Sequence, residues 1–510
     1  MTTTTTSGEA DRSGVFEATR VAYLVEGEVY FKALVAAMVR AERSIRIVGW
    51  DLDARAGLPD PWRVGSTISL RRLVNRLAKR RKALRIHLLG WDFSAVLALD
   101  RPPLAAHQLD WRTHDRVKFF ADGVHPAGAS HHQNVAVIDD RIAFVGGTDL
   151  AIQSRDARPP TLRDPRRFDP IREPHPPLHD VQLVVSGPVA EALGDLTRAR
   201  WRRATGDLLS RVTTTATDPW PKNLTPDAEG AIVEISTTHP AADRSPSTKP
   251  SNVESSFVDQ IASARRAIYV ENQYFSCPLL AAALARRLDE PDGPEVVLVA
   301  SRSCAGWLDP HAMTVLRQAF LSTLRQARFA NERLRAVAPF VNDAEVAIHA
   351  KVLVIDDSAA RVGSASWSRR SQTLDTECDA TVHGTSPATR AAVRSLRDRL
   401  LAEHLGLDLG EVESELSRHG SIVRLVDAAS IGRGRRHVRR LEDLPPSPED
   451  VSWLESLGDP ERPLDAPHLA VLFARHGSVS PKPFVAGWMK IVAAATMSLL
   501  LALLVLVVAR

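Results

Sequence analysis

The stretch HHQNVAVIDDRIAFVGGTD, residues 131–149, returns in altered form as IHAKVLVIDDSAARVGSAS, residues 348–366. In each copy a histidine (His132, His349) is followed seven residues later by an aspartate (Asp139, Asp356), and seven residues after that by a glycine (Gly146, Gly363). Each copy reads as a strand, a tight turn carrying an Asp-Asp pair, and a second strand. The likeness continues upstream. A helix with apolar Phe31, Leu34, Val35 and Met38 leads into SIRIVGWD, and one with Val253, Phe257, Ile261 and Ala264 leads into AIYVENQYF. Asp51 lies 81 residues before His132, and Glu271 lies 78 before His349. Two copies of one α/β unit is the economical reading. The expected fold is therefore α/β, with two lobes related by a pseudo-two-fold axis, each a mixed sheet flanked by helices.

The rest of the chain divides around this repeat. Residues 1–14 read as a disordered lead with no signal-peptide pattern, 15–205 as the first lobe and 231–405 as the second. Between them, 206–230 is rich in Thr and Pro and reads as a linker. Residues 406–483 form a cap holding a basic run, GRGRRHVRR, and a Pro-rich stretch. Ile491 to Ala509 is an uncharged run bounded by Lys490 and Arg510. At 1.5 Å per residue it spans about 28 Å, one hydrocarbon core, and is expected to be a transmembrane helix. Lys482 and Lys490 before it, against Arg510 alone beyond it, set the body in the cytoplasm on a single-pass anchor.

Composition narrows the function. With 510 residues, 44% hydrophobic and 25% charged, the chain is globular and of several domains. A net charge of +4 over this length gives no reason to expect a nucleic-acid partner. Cys277, Cys304 and Cys378 stand far apart, which disfavours a disulfide framework or zinc site. The chain has only nine lysines among its 65 basic residues, and Lys351 is the sole one between Lys249 and Lys482. It lies two residues from His349 and shares its face of the strand. A lone lysine there suits a point charge for a phosphate oxygen. A histidine from each copy, meeting across the axis, would supply one nucleophile at phosphorus and one proton donor.

The two segments resemble the paired HxK(x)4D motifs of the phospholipase D superfamily, with supporting similarity at GWDLD (49–53), HDV (179–181), VENQYF (270–275), LDTE (374–377) and DPERP (459–463). The similarity is to bacterial, membrane-attached members and covers roughly 20–405, more loosely to 465. It implies a covalent phosphohistidine, with His132 as nucleophile, His349 as general acid and then base, and Lys351 on the phosphoryl oxygens. Glu377 stands where the family places an acid that orients an imidazole, with Asp156 or Asp149 as candidates for His132. Asp139 and Asp356 are motif members read as holding their turns by local hydrogen bonds. Ser364 and Ser366 fall in the family's GSxN stretch and would contact substrate. No metal or cofactor is implied. The expected partners are a phospholipid membrane, a phospholipid or other phosphodiester substrate, and water or an alcohol as acceptor; the sequence does not set an oligomeric state.

Two departures qualify this. Asn134 stands where the family has its first lysine, and Ser366 where it has asparagine. An amide donates hydrogen bonds but brings no charge to a phosphorane, although the adjacent His131 is a candidate to cover part of that loss. A weak or silent phosphate-binding scaffold is thus an alternative, as are cardiolipin-synthase-like transfer and the superfamily's nuclease chemistry.

Overall fold

The structure is a computed structural model. It describes residues 13–92, 113–151, 177–239, 252–304, 310–430 and 435–441, with 451, 454–455 and 458–463. Most of the expected lead, Asp156, the Pro-rich stretch and the apolar run 491–509 lie outside those residues. Among the described residues no helix is long and apolar enough to cross a membrane.

Among the described residues, sixteen strands form one mixed sheet, beside two short two-stranded ladders, and its order reads alike from both edges. From one edge inward it runs Val117–Asp122, Arg85–Trp91, Ser44–Gly49, Asn134–Ile138, Ile142–Gly146, Val181–Ser186 and Gly14–Val25. From the other side the corresponding strands are Leu334–Val341, Glu295–Val299, Ala267–Glu271, Val352–Ile355, Ala359–Gly363, Glu377–His383 and Ala228–Thr238. In each set the outer three strands are parallel and the remaining pairings antiparallel. The halves meet where 14–25 pairs antiparallel with 228–238, Val15 opposite Glu234 and Val21 opposite Ala228. Strand 228–238 begins within the segment read as linker. The preceding residues are packed down, with Trp220 buried and Ala216 and Thr217 donating backbone N–H to Glu42.

Alternation along the strands fills both faces of this sheet. Val135 and Val137 join one core with Val181, Leu183 and their second-half equivalents, while Ala136 and Ile138 turn to a core on the opposite face. The shared core is covered by helices Pro188–Thr205 and Pro387–Leu405. Each starts on a proline that needs no N–H partner and ends on a left-handed glycine, Gly206 or Gly406. Helix Gly27–Arg40 buries Phe31, Leu34, Val35 and Met38 on the first half, and Asn252–Ser263 buries Val253, Phe257 and Ile261 on the second.

The region after 405 is better ordered than its sequence suggests. It holds helices Leu409–His419 and Ile422–Ser430, then strand Arg436–Arg440, which covers the sheet edge at 334–341. Its arginines are matched by acids: Arg436 with Glu403, Arg439 with Asp343, Arg440 with Asp427. Farther on, Asp459 is buried and accepts from Ser276 Oγ and from the backbone N–H of Arg369 and Arg370, which pins 458–463 to the second half.

The motif aspartates require a correction. Asp139 and Asp356 both occupy left-handed backbone, which aspartate tolerates in turns. Their carboxylates do not serve those turns locally. Asp139 accepts from the N–H of Glu42, Arg43 and Ser44 at 2.7–2.8 Å, and Asp356 from Arg265, Arg266 and Ala267 at 2.8–2.9 Å. Each ties its hairpin to the helix–strand junction some ninety residues earlier, and each lies about 23 Å along an extended chain from its motif histidine. Replacing either with alanine strands three N–H groups. We expect a loss of about 2–4 kcal/mol for each, nearly additive, in denaturant titrations, with little change in activity per folded molecule. A collapse of activity without loss of stability would return them to the catalytic set.

Candidate active site

Strand register makes the equivalences explicit. Val135 lies opposite Val48 and Val352 opposite Glu271; Gly146 lies opposite Gln182 and Gly363 opposite Asp379. Counting from these pairs, Asn134 corresponds to Lys351, Trp50 to Gln273, Asp149 to Ser366, and Asp180 to Glu377. The last pair organises the site. His132 Nδ1 lies 3.1 Å from Glu377 Oε2 and 3.0 Å from the Ser364 carbonyl, both from the second half. His349 Nδ1 lies 2.8 Å from Asp180 Oδ2, from the first half. Each half thus supplies the acid for the other half's histidine. Glu377 serves His132 alone, so neither Asp149 nor Asp156 is needed there; Asp180, which the sequence reading did not single out, serves His349. Its signal was the HDV stretch entering an apolar run.

The backbone repeats this exchange. His132 N–H donates to the Thr376 carbonyl at 3.0 Å, and His349 N–H to the His179 carbonyl at 2.8 Å. Ser364 Oγ donates to Glu377 at 2.5 Å, so its role is to fix the acid. The Ser366 carbonyl accepts from Gln372, and the residue is buried. The loop before His132 is held by Asp375, which accepts from Ser130 N–H and is paired with Arg370.

Lys351 is buried, with Nζ 2.7 Å from the His349 carbonyl and 3.3 Å from Gln273 Oε1. It lies over Gly147, where an added Cβ would come within 3.2 Å of Nζ. Asn134 is spent differently: its Oδ1 accepts from Trp50 N–H and its Nδ2 donates to the Gly147 carbonyl. His131 does not make good the missing charge. Neighbours on an extended chain face opposite ways, and its ring goes to Thr376 and Asp122 rather than beside His132. Burial and the Arg200 charge hold it down at about 4, hence neutral. Trp91 and Tyr274 are buried, which fits a core role.

The two dyads differ in charge. Burial disfavours a charged His132, but Glu377 overcomes it and the ring binds its proton more tightly than an ordinary imidazole. Glu377 is itself raised by burial. In the other dyad, burial and Lys351 lower His349 despite Asp180. Burial alone would raise Asp180, but His349 and Lys351 keep it below the usual carboxylate value. The His132–Glu377 pair therefore holds a proton that the His349–Asp180 pair tends to lack. Asp149, buried beside Asp51, is pushed up to about 6.

Among the described residues, the side chains with metal-ligand grouping are His179, Glu271 and His404, and Glu26, His179 and Glu403. Both nitrogens of His179 are taken by Glu26 (2.6 Å) and Glu271 (2.7 Å), short distances of charge-assisted hydrogen bonds.

The chain is similar to several known proteins. The chain is 26% identical over 214 residues to phospholipase D C of Dictyostelium discoideum, covering 35% of this chain and 12% of that protein. It is 22% identical over 535 residues to phospholipase D1 of Saccharomyces cerevisiae, covering 81% and 30%. It is 26% identical over 250 residues to cardiolipin synthase A of Pseudomonas aeruginosa, covering 48% and 42%. Residues 257–398 match the family model described as cardiolipin synthase, PLD-like domain. The similarity is to the phospholipase D superfamily, with the family-model match lying in the second half. The chain spans less than half the length of these curated superfamily relatives. A solved superfamily structure, the phosphatidylserine synthase of Haemophilus influenzae Rd KW20, shares the fold with TM-score 0.52 at 11% identity, over 82% of this chain and 96% of that one.

The dyad assignment predicts how the rings titrate. In Glu377→Gln the leading influence left on His132 is burial, aided by Lys351, so its midpoint should fall from above the ordinary imidazole value to below it. In Asp180→Asn, His349 should fall further. Histidine-ring NMR titration of the two variants checks both; an unmoved His132 would break the pairing with Glu377.

Proposed function

We propose that this protein is a phosphodiesterase and phosphatidyltransferase that acts on phospholipid headgroups through a covalent phosphohistidine. The observation that carries the reading is the pair of histidines from opposite halves, each held at Nδ1 by a carboxylate from the other half, with Lys351 beside them. A ring held at Nδ1 presents Nε2 in fixed orientation, as a nucleophile or proton donor needs. One Nε2 attacks phosphorus while the P–O bond to the headgroup breaks, and the other imidazolium gives its proton to the departing oxygen. That second ring then takes a proton from water or an alcohol, whose oxygen attacks phosphorus and releases the first histidine.

The resemblance assigns the attack to His132. The charge difference between the dyads favours the exchange of roles, with neutral His349 as nucleophile and protonated His132 as acid. Halves 15–205 and 231–405 are read as the two lobes, joined by 206–230, and 491–509 as a single-pass anchor holding a cytoplasmic body at the bilayer. A second reading, a silent lipid-binding scaffold, is favoured by Asn134, whose amide is spent on backbone groups where its counterpart is Lys351.

Full-length protein in mixed phospholipid vesicles with an added primary alcohol should release headgroup and form phosphatidylalcohol. Transfer only between two phosphatidylglycerols would narrow the activity to cardiolipin formation, and cleavage of DNA or RNA with no lipid turnover would defeat the proposal. Asn134→Lys should raise turnover by about tenfold or more. An inert natural chain beside an active Asn134→Lys would establish the scaffold reading instead.

The trapped intermediate decides the roles. With a substrate whose leaving group needs no proton, phosphate label on His132 that persists in His349→Ala supports the resemblance. Label on His349 that persists in His132→Ala supports the exchange.

A further inference from the structure

We propose that His179 is a positioning residue, whose ring, clamped between Glu26 of the first half and Glu271 of the second, holds Asp180 against the His349 ring. This rests on the phosphohistidine reading above. The two histidine-orienting acids are equivalent in the sheet but are not supported alike. Glu377 begins strand 377–383, which is hydrogen-bonded on both sides. Asp180 likewise borders a strand bonded on both sides, 181–186, and its Oδ1 accepts from Val181 N–H at 2.8 Å, but on its other side is a two-residue strand, Leu178–His179, whose ladder is a short parallel pairing with Ala347–Ile348. So short a ladder fixes little by itself.

Support on that side comes from the His179 side chain. It is fully buried, with Nδ1 2.6 Å from Glu26 Oε1 and Nε2 2.7 Å from Glu271 Oε2. Glu271 is braced in turn by the Tyr269 hydroxyl at 2.5 Å and by His404 Nε2 at 2.8 Å. Glu26 N–H donates to the Asp180 carbonyl at 2.8 Å, and the His179 carbonyl takes the N–H of His349 and Ala350. One residue thus places both the acid and the backbone of the histidine it orients. In the other half the equivalent position is Thr376, whose hydroxyl turns to His131. With a carboxylate on each side, the His179 proton affinity stands well above the usual imidazole value despite burial, and burial raises Glu26 as well. The acidic groups facing the ring from every side are Glu26, Glu271 and the nearby Glu403, the last paired with Arg436.

The test uses full-length, histidine-labelled protein carrying His179→Asn or, as a milder isosteric change, Glu271→Gln. Ring NMR reports the His349 tautomer and titration whether or not the protein turns over lipid. We expect the Nδ1–H tautomer of His349 to lose its dominance and its titration midpoint to move further down as Asp180 withdraws. In vesicle assays kcat should fall about 10- to 100-fold with KM little changed. A lowered thermal midpoint with the His349 ring signals of the natural chain, in either variant, would overturn the proposal and leave His179 a purely structural residue. Altered His349 signals in a natural chain that lacks turnover would uphold the positioning role while the enzymatic reading fails.

Discussion

The exchange of carboxylates between halves is the constraint on which the rest of the structure depends. A buried imidazole meant to attack or protonate must have Nδ1 committed, and here neither half carries the acid its own histidine uses. The site therefore exists only if the halves are docked to within hydrogen-bonding tolerance. That docking is set by the antiparallel pairing of 14–25 with 228–238, which makes one continuous sheet of two sets of strands. The two helices on the shared core, 188–205 and 387–405, keep the joint from hinging by burying apolar residues from both sets. Asp139 and Asp356 act at the far ends of the hairpins, so that each motif strand is clamped at its turn as well as at its histidine.

Much of this was legible because the repeat kept its spacing. His, Asp and Gly seven residues apart, twice, are enough to show two hairpins, and alternation assigns their faces. The acids were harder to read, since each histidine's partner lies 245 or 169 residues away in the other half. The intervals also differ: Gly146 to Asp180 is 34 residues, and Gly363 to Glu377 is 14. Counting from one motif histidine therefore does not lead to the other's acid. His131 was misjudged because nearness in sequence is not nearness of side chains on an extended chain. The motif aspartates were recognised as turn residues, but their backbone donors lie too far upstream for local reasoning to find. The segment after 405 looked formless because its elements are short. Its capping box at Asp408 and Glu411 and its edge strand become visible only against the sheet they cover.

The halves have kept their scaffold and parted in chemistry. Where one has Lys351 and Gln273, the other has Asn134 and Trp50; where one has Ser366, the other has buried Asp149. These differences cluster at one end of equivalent strands, around the histidines. The outcome is a site with its lysine on one side and, on the other, the imidazole of higher proton affinity.

The self-complementary central strand pair has a consequence for descent as well as for geometry. A polypeptide carrying one such half would have to associate with a copy of itself before it had a finished site, and its activity would rise and fall with its own concentration. Every substitution in it would appear twice, once on each side of the dyad axis. Joining two copies in one chain replaces that association with a fixed effective concentration and lets each copy change alone. A lysine kept at 351 and an asparagine at 134 is a combination open to the fused chain and closed to a symmetric homodimer.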